Sequence, residues 1–578
     1  MLAPTPHETP ALPSPDKIVT ALSSRTTRRR LVGGCLLVLV TFTGFRRSAE
    51  FADAAYDAAA ATAVEVTLSR RIDNLASDSM LGRGPGQRGD TLTVAYLERE
   101  MRAIGLAPAG SDGYRQPVTL RRLHATGEAT FRANGQIVPL DSTTVIIAAT
   151  TAGKYTVHDA PVVFVGHGIV APEHQWDDYG AIDLRGKVAL ILDGEPDVVS
   201  ARRFGTIERR GPHAFSFLKA RHALARGASA AVLIRAGTDG AHRARRARLQ
   251  DATVGDAPDP TAEPPITLHL SASAGGQLAR AAGTTLDAWR RAAADSTIGP
   301  LELPLRLDAT VRADGDSFVS YNVVGTVPGS DRSRRDECVV YLGHWDGYGI
   351  GPVVNGDSIY NGALDNAAGV SEMLLIAEAV RALPRAPRRT MVFVATTAEE
   401  SGMRGANAYA AHPICTMERT VLAVGMDWSW TWGMTETVVS NGIGYSTVDS
   451  LARRVATRLG KSFAPGVGEY WLASDHAMLA FRGVPAWFGG LDGDVIGTPR
   501  GWAGAQLATQ RTHVPSDERK PTWDLSGALF EVRFLFELGV RTAESDTRPV
   551  WTVDSEFRRA ADALRGAPRT GARSPGGS

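Results

Sequence analysis

The sequence carries almost no net charge, and two motifs typical of hydrolases are missing from it. Its 578 residues hold 63 basic and 62 acidic side chains, a formal net charge of +1, so the charge gives no support for nucleic acid or for an acidic partner. No Gly-x-Ser-x-Gly motif occurs, which excludes a serine hydrolase with a nucleophile elbow. No His-Glu-x-x-His motif occurs, which excludes a zincin-type protease.

Cysteine is scarce as well, with three residues in the chain. Cys35 lies near the N-terminus, so an exported and processed chain would keep only Cys338 and Cys415. In an oxidising compartment these two could form one disulfide, and two inert buried thiols are an equal alternative.

The apolar run near the N-terminus, residues 31–45, is shorter than a bilayer span of about 20 residues. It follows three arginines at 28–30 and a segment rich in Pro and Ser, residues 1–24, which is predicted to be disordered. Ala52 and Ala54 offer a cleavage site of the A-x-A type. This pattern predicts an export signal and a periplasmic or extracellular protein. An inner-membrane anchor retained at residues 31–45 is the alternative.

Alternating strands and helices characterise residues 318–542. Short apolar runs at 338–343, 390–395 and 420–426 predict buried strands, and the apolar face of residues 369–383 predicts a helix. Buried strands separated by helices imply an α/β fold with a mixed, mostly parallel sheet covered by helices on both faces. In such sheets, binding sites form at the carboxyl ends of the strands.

Acidic and histidine side chains follow these strands or the loops after them. They are His344, Asp346, Asp365, Glu399, Glu400, Asp427 and His513. Singly, each has a structural explanation, since a His-x-Asp pair is usually structural and Asp365 could cap a helix. Together they would converge at one edge of the sheet. Histidine and carboxylate ligands without cysteine suit zinc or a harder divalent ion in an open, hydrolytic site.

Several motifs carry a resemblance to a known family. They are Gly343-His344-Trp345-Asp346, residues 355–369 around Asp365, Glu399-Glu400-Ser401-Gly402, and Ser474-Asp475-His476 with Gly483-Val484-Pro485 downstream. Their order and spacing resemble the co-catalytic dizinc aminopeptidase family, which includes glutamate carboxypeptidase. Leu81-Gly82-Arg83-Gly84 is similar to the N-terminal portion of the same catalytic domain. Val165-Gly166-His167-Gly168 and Trp176-Asp177-Asp178-Tyr179 resemble the protease-associated (PA) domain inserted in many members.

The resemblance implies two zinc ions per chain, with other divalent ions as alternatives. Asp365 would bridge both metals. His344 and Asp427 would complete one site, and Glu400 and His513 the other. No ligand position departs from the family's pattern.

The resemblance also implies roles for residues beside the metals. Glu399 would be the general acid and base, and Asp346 would orient the imidazole of His344. Asp475 and His476 would support the site, with a structural role as the even alternative. Aromatic residues close in sequence to Asp427 and to Asp475 could line a substrate pocket, although core packing is the favoured interpretation for most of them. They are Trp428, Trp430, Trp432, Tyr470 and Trp471.

The implied organisation is an inserted domain within a peptidase domain. Residues 1–55 are the disordered N-terminus with its signal or anchor, 56–150 the first part of the peptidase domain, 151–295 the β-rich PA-like insertion, and 296–545 the zinc peptidase domain. Residues 546–578 are the C-terminal tail, which is predicted to be disordered after about residue 555.

The implied activity is that of a zinc-dependent exopeptidase acting on peptides, foremost an aminopeptidase. Carboxypeptidase and dipeptidase action stay open, because the group that reads the substrate terminus is not identified from sequence. A non-catalytic binding protein on the same fold is a weaker alternative, since the Glu399-Glu400 pair is intact. Neither a stable partner, an oligomeric state nor a side-chain preference follows from the sequence.

Overall fold

The computed structural model describes residues 53–149, 152–171, 175–196, 213, 216–240, 242–243, 246, 253–256, 266–295, 299–509, 511–553 and 555–566. Residues 60–578 form one compact unit. The predicted export signal, including the run 31–45, lies outside the described residues. Within the described ranges, no helix is long and apolar enough to cross a membrane.

Helices occur along the whole described chain, and their positions follow the apolar spacing of the sequence. In the first of them, Leu68, Ile72 and Leu75 form one buried face. The α-helices are α1 (Glu65–Leu75), α2 (Arg88–Ile104), α3 (Ser216–Ala225), α4 (Ala272–Ala281), α5 (Leu286–Ala293), α6 (Gly369–Ala382), α7 (Arg404–Ala411), α8 (Val448–Arg458), α9 (His476–Ala480), α10 (Trp502–Thr509), α11 (Ser526–Glu544) and α12 (Arg558–Gly566).

Strands make up most of the remaining regular structure. They are β1 (Ala107–Pro108), β2 (Arg115–Ala133), β3 (Gln136–Ile137), β4 (Val145–Ala149), β5 (Gly153–Phe164), β6 (Val170–Ala171), β7 (Trp176–Asp177), β8 (Val188–Leu192), β9 (Ala230–Ile234), β10 (Thr253–Asp256), β11 (Ile266–Leu270), β12 (Leu301–Val327), β13 (Cys338–His344), β14 (Gly349–Val354), β15 (Asp357–Tyr360), β16 (Thr390–Thr396), β17 (Thr420–Gly425), β18 (Thr435–Ser440), β19 (Ser462–Pro465), β20 (Ala486–Trp487) and β21 (Gly489–Val495).

One large sheet organises the fold, with the strand order β20-β17-β13-β16-β12-β5-β8-β9-β11-β4. At one end, β20, β17, β13 and β16 are mutually parallel. At the other end, β5, β8, β9 and β11 are parallel. The antiparallel strand β12 joins the two parallel groups. The predicted mixed, mostly parallel α/β sheet is therefore confirmed.

β13 is buried on both faces, and its successive side chains point to opposite sides of the sheet. Val340 and Leu342 pack into a core cluster with residues of α7 and α9. On the other face, the hydroxyl of Tyr341 donates a 2.9 Å hydrogen bond to the backbone carbonyl of Leu535 in α11. Packing against helices on both faces holds β13 in place, and with it His344 at the end of the strand.

Two long strands were not predicted from the sequence. β12 has 27 residues and β2 has 19, and the two pair along the whole of β2. β12 also pairs with β5 through its first half and with β16 through its last residues. The hydrogen-bonded sheet thus runs without a break through the region predicted as an inserted domain. The proposed limits of that domain at 151 and 295 remain a prediction.

Two further features concern the ends of elements. Cys338 at the start of β13 and Cys415 after α7 form a disulfide, with Cα atoms 6.2 Å apart. The disulfide alternative is therefore the one that the structure adopts. The expectation of a wholly disordered tail is wrong for residues 558–566, which form α12 and bury Ala561 in the core. Leu564 of the same helix packs partly buried against this cluster, so the segment rich in Arg has an apolar face on the core.

Candidate metal centre

The candidate ligands converge because neighbouring parallel strands end together. β13 lies between β16 and β17, with Gly343 opposite Ala395 and Leu342 opposite Gly425. The residues that leave these strands at their carboxyl ends must therefore meet at one edge of the sheet. His344 ends β13, Glu399 and Glu400 follow β16, and Asp427 follows β17.

One group of side chains gathers around the imidazole of His344. Its Nε2 lies 3.2 Å from Oδ1 of Asp365 and 3.3 Å from Oδ1 of Asp427. His344 is fully buried, whereas the side chains of Asp365 and Asp427 are 13% and 16% exposed. The ligand atoms of the three residues all lie within 4.8 Å of one another.

A second group gathers around His513. Its Nε2 lies 2.9 Å from Oδ2 of Asp365 and 3.4 Å from Oε2 of Glu400. Asp365 therefore belongs to both groups, and each of its two oxygens faces a different histidine. The two groups share Asp365 and together contain two imidazoles and three carboxylates. This set fits a pair of divalent cations with mixed nitrogen and oxygen ligands.

The electrostatics of the cluster reflect charges brought together out of water. Burial opposes ionisation of Asp365, yet hydrogen bonds with His344 and His513 hold its pKa below the usual range. Burial likewise opposes protonation of His344, but Asp427 and the other neighbouring carboxylates raise its pKa well above 6.5. Burial, followed by the charge of Asp365, raises the pKa of Glu400 to about 8. So many buried carboxylates are what a site for cations requires.

Glu399 lies beside the cluster but outside both ligand groups. Its Oε2 is 4.0 Å from Nε2 of His344, and its side chain is 11% exposed. Burial raises the pKa of its carboxyl well above the usual value. A carboxyl of this kind, next to the ligands and open to solvent on one side, can exchange a proton with a reacting group.

Asp346 acts mainly on the backbone of the loop after β16. Its Oδ1 accepts a 3.0 Å hydrogen bond from the amide of Glu399, and its Oδ2 a 3.3 Å bond from the amide of Glu400. Its carboxylate is 3.7 Å from Nδ1 of His344, while that nitrogen is 3.2 Å from the backbone carbonyl of Asp346. Asp346 thus contacts His344 through its main chain and holds the Glu399-Glu400 loop through its side chain.

Asp517 is a buried carboxylate that contacts the loop of Asp365 and was not predicted from the sequence. Its Oδ1 and Oδ2 accept 3.1 Å hydrogen bonds from the amides of Leu364 and Asp365. The residue is 1% exposed. The signal in the sequence was its position four residues after His513, in the same short segment.

The two predicted supporting residues lie behind the cluster in the core. Asp475 is fully buried and accepts a hydrogen bond from Oγ1 of Thr396, the last residue of β16. Burial raises its pKa to about 7. His476 is also fully buried, with Nε2 2.6 Å from the carbonyl of Trp471 and its ring stacked on Phe488.

The aromatic residues near the site divide into two kinds. Trp430, Trp432 and Trp471 are buried, so core packing is confirmed for these three. Trp428, directly after Asp427, is 40% exposed, and Tyr470 is 53% exposed. Trp428 packs against Trp432, with ring centroids 6.2 Å apart. Its indole is thus held beside a candidate ligand with one side open.

Comparison with known proteins agrees with the position of this cluster in the chain. Residues 322–533 match the family described as Peptidase family M28, a range that includes all five candidate ligands. The chain is similar to the solved structure of an aminopeptidase from Aneurinibacillus sp. strain AM-1, at 19% identity, with 83% of this chain and 93% of that chain covered and a TM-score of 0.45. It is similar to a zinc aminopeptidase from Bacillus subtilis at 19% identity, with 82% and 94% covered and a TM-score of 0.40. It is also similar to a Peptidase M28 precursor from Shewanella amazonensis SB2B at 17% identity, with 86% and 97% covered and a TM-score of 0.41.

Proposed function

We propose that the chain is a dizinc aminopeptidase that removes N-terminal residues from peptides, a metallopeptidase whose residues 322–533 match Peptidase family M28. The observation that supports two metals is the carboxylate of Asp365, which lies between His344 on one side and His513 on the other. In this proposal Asp427 completes the first zinc site, and Glu400 the second.

The proposed chemistry divides between the metals and Glu399. Zinc held by His344, Asp365 and Asp427 and by Asp365, Glu400 and His513 would supply Lewis-acid chemistry, which would acidify a water molecule and polarise the carbonyl of the scissile bond. Glu399 takes the proton of that water and delivers it to the leaving amine. Asp346 holds the amides of Glu399 and Glu400 on its two oxygens, so the base and the adjacent ligand keep a fixed spacing.

The charges at the cluster favour a substrate amine over a substrate carboxylate. The carboxylate of Glu399 lies outside both candidate ligand groups and is 11% exposed, so it stays open to a substrate group when the candidate ligands hold metal. Arg83, a cation that faces the cluster from within the protein, is fully buried and donates its hydrogen bonds to backbone carbonyls, so it is not open to a substrate carboxylate. A free N-terminus therefore meets the complementary charge, which supports aminopeptidase over carboxypeptidase action.

The activity is tested with two substrate series and a chelator. The zinc-loaded protein is expected to hydrolyse aminoacyl-p-nitroanilides, to leave their N-acetylated forms intact, and to stop when the metal is chelated. Peptides with a blocked N-terminus and a free C-terminus are expected to be stable. Cleavage of these blocked peptides, with no cleavage of the nitroanilides, would instead establish a carboxypeptidase.

We also propose that the enzyme acts outside the cytoplasm. The disulfide between Cys338 and Cys415 supports this, because disulfides persist in oxidising compartments. Cell fractionation should find the protein in the periplasm or the medium, or on the inner membrane if the signal is retained. Recovery from the cytoplasm with both thiols free would contradict the proposal.

A further inference from the structure

Arg83 lies far from the metal ligands in sequence and next to them in space. Its side chain is fully buried. Nε donates a 2.7 Å hydrogen bond to the carbonyl of Trp345, and Nη2 a 2.8 Å bond to that of Gly362. Nη1 donates to the carbonyls of Asn361 at 2.5 Å and Leu75 at 2.6 Å. One guanidinium therefore joins the loop after His344 to the loop before Asp365.

The backbone that carries Arg83 is held in an unusual conformation. Leu81, Gly82 and Arg83 have φ angles of 52°, 66° and 55°, in the left-handed region that residues other than glycine rarely adopt. A Cβ at Gly82 would lie 2.5 Å from the carbonyl oxygen of Gly349, so only glycine allows this approach. Strained backbone of this kind persists where the surrounding structure holds it in place, and it clusters at functional sites.

The loop before Asp365, which accepts hydrogen bonds from Arg83, is also adapted to this contact. A Cβ at Gly362, whose φ is 57°, would lie 2.8 Å from Nη2 of Arg83, so glycine is required there too. The side chain of Asn361 donates to the carbonyl of Ala76 and to Oδ1 of Asp78, both at 2.8 Å. The N-terminal segment is thus attached to the loop before Asp365 on both sides of the guanidinium.

The charge of Arg83 also faces the metal cluster. Its four hydrogen bonds all go to neutral backbone carbonyls, and its charge interacts with the nearby carboxylates through space. Those that favour its ionised form are Asp517, Asp346, Asp365 and Glu400. Burial lowers the pKa of Arg83 to about 10, which leaves the side chain protonated at neutral pH. Its charge therefore offsets part of the repulsion among the carboxylates.

We propose that Arg83 is a positioning residue of the metal centre, which fixes the distance between the loop after His344 and the loop before Asp365 and thereby sets the zinc affinity of both sites. This inference rests on the proposed function. It means that the segment before residue 105 completes a site whose ligands all lie within residues 322–533.

The test compares Arg83 with a second buried arginine. Arg71 is also fully buried in the N-terminal segment, but it binds the carboxylates of Glu100 and Glu378 rather than the metal-site loops. Arg83→Lys and Arg83→Gln are compared with Arg71→Lys and Arg71→Gln. The zinc affinity of the metal-free proteins is measured by competition with a chromogenic chelator, together with kcat, KM and thermal unfolding.

We expect the Arg83 variants to lose zinc affinity by about 10- to 100-fold, the range found when residues that orient metal ligands are removed. Lysine keeps the charge but cannot reach four carbonyls in a planar arrangement, so Arg83→Lys should rescue only part of the loss. At saturating zinc, kcat should fall more than KM rises. The Arg71 variants should lose thermal stability and keep their zinc affinity.

A second variant applies if the Arg83 variants do not fold. Asn361→Ala leaves the guanidinium and every ligand in place but removes the two hydrogen bonds to Ala76 and Asp78, and it should weaken zinc binding in the same direction. Zinc affinity that is equal in the Arg83, Asn361 and Arg71 variants would overturn the proposal. Because zinc binding is measured without substrate, this outcome is distinct from a failure of the aminopeptidase assay.

Discussion

Two buried carboxylates hold the ligand-bearing loops through consecutive backbone amides. Asp346 accepts from the amides of Glu399 and Glu400, and Asp517 accepts from those of Leu364 and Asp365. Charge-assisted hydrogen bonds of this kind are stronger than bonds between neutral groups. Each carboxylate thus fixes the direction in which the following side chain leaves the main chain.

Replacing Asp517 by Asn tests this role. The amide has one acceptor oxygen and an NH₂ group, so one of the two backbone amides loses its partner. We expect a loss of about 10- to 100-fold in zinc affinity or in kcat/KM. Asp524→Asn is the matched control, because Asp524 also accepts from a backbone amide, that of Ser526, but at the start of α11. Equal zinc binding in the two variants would argue against a specific role for Asp517.

Replacing Glu399 by Ala separates proton transfer from metal binding. The side chain lies outside both ligand groups, so the variant should retain its zinc. Turnover should fall by about 10²–10⁴-fold, the usual contribution of a general base. Zinc content by atomic emission and kcat on an aminoacyl-p-nitroanilide check the two parts. Asp365→Ala, by contrast, should lose both the metal and the activity.

The sequence predicted the convergence of the candidate ligands better than it predicted the residues that contact their loops. His344, Glu400 and Asp427 follow apolar strands whose carboxyl ends must coincide, so their convergence could be expected from strand order. Arg83 and Asp517 could not be assigned in this way. Their partners are backbone groups of distant loops, and backbone groups leave no trace in the pattern of side chains.

At the level of elements, the short buried strands were predicted to within about one residue. β16 was expected at 390–395 and is found at Thr390–Thr396, because a run of successive apolar residues has few other ways to be buried. β2 and β12 were missed for the opposite reason. Their buried and exposed residues alternate irregularly, and bulges shift the register between β12 and β5.

The disulfide between Cys338 and Cys415 should stabilise the peptidase domain. It joins the start of β13 to the segment after α7 across 77 residues of sequence. Replacing both Cys338 and Cys415 by Ser should lower the free energy of unfolding by roughly 2–4 kcal/mol. Urea unfolding of the variant and of the oxidised and reduced parent measures the loss. The reduced parent should resemble the variant, and equal stability of all three forms would show that the bond contributes little.

At the level of the whole molecule, two buried histidines make stability depend on acid. Burial lowers the pKa of His167 and of His476 from 6.5 to about 3. Both are therefore neutral in the fold and accept a proton only after unfolding. The contribution of these two histidines to the free energy of unfolding is complete above pH 6.5 and is lost as the pH drops toward 3. The loss is about 2 kcal/mol for each histidine between pH 7 and pH 5.

His476→Gln should remove one share of this acid sensitivity. Unfolding by urea at pH 7 and pH 5, with zinc chelated, gives the change in the free energy of unfolding for the parent and the variant. The exposed His124→Gln is the control and should retain the full dependence of the parent. An unchanged slope in the His476 variant would contradict the assignment.

The continuous strand β12 also decides the order in which the protein can fold. Its first half pairs with β5, its last residues with β16, and β2 runs along most of its length. Neither parallel group can be joined to the other until residues 301–327 have been synthesised. Pairings between strands so distant in sequence form slowly, because loop-closure entropy is lost before the contacts are gained. Zinc binding should therefore be among the last events of folding.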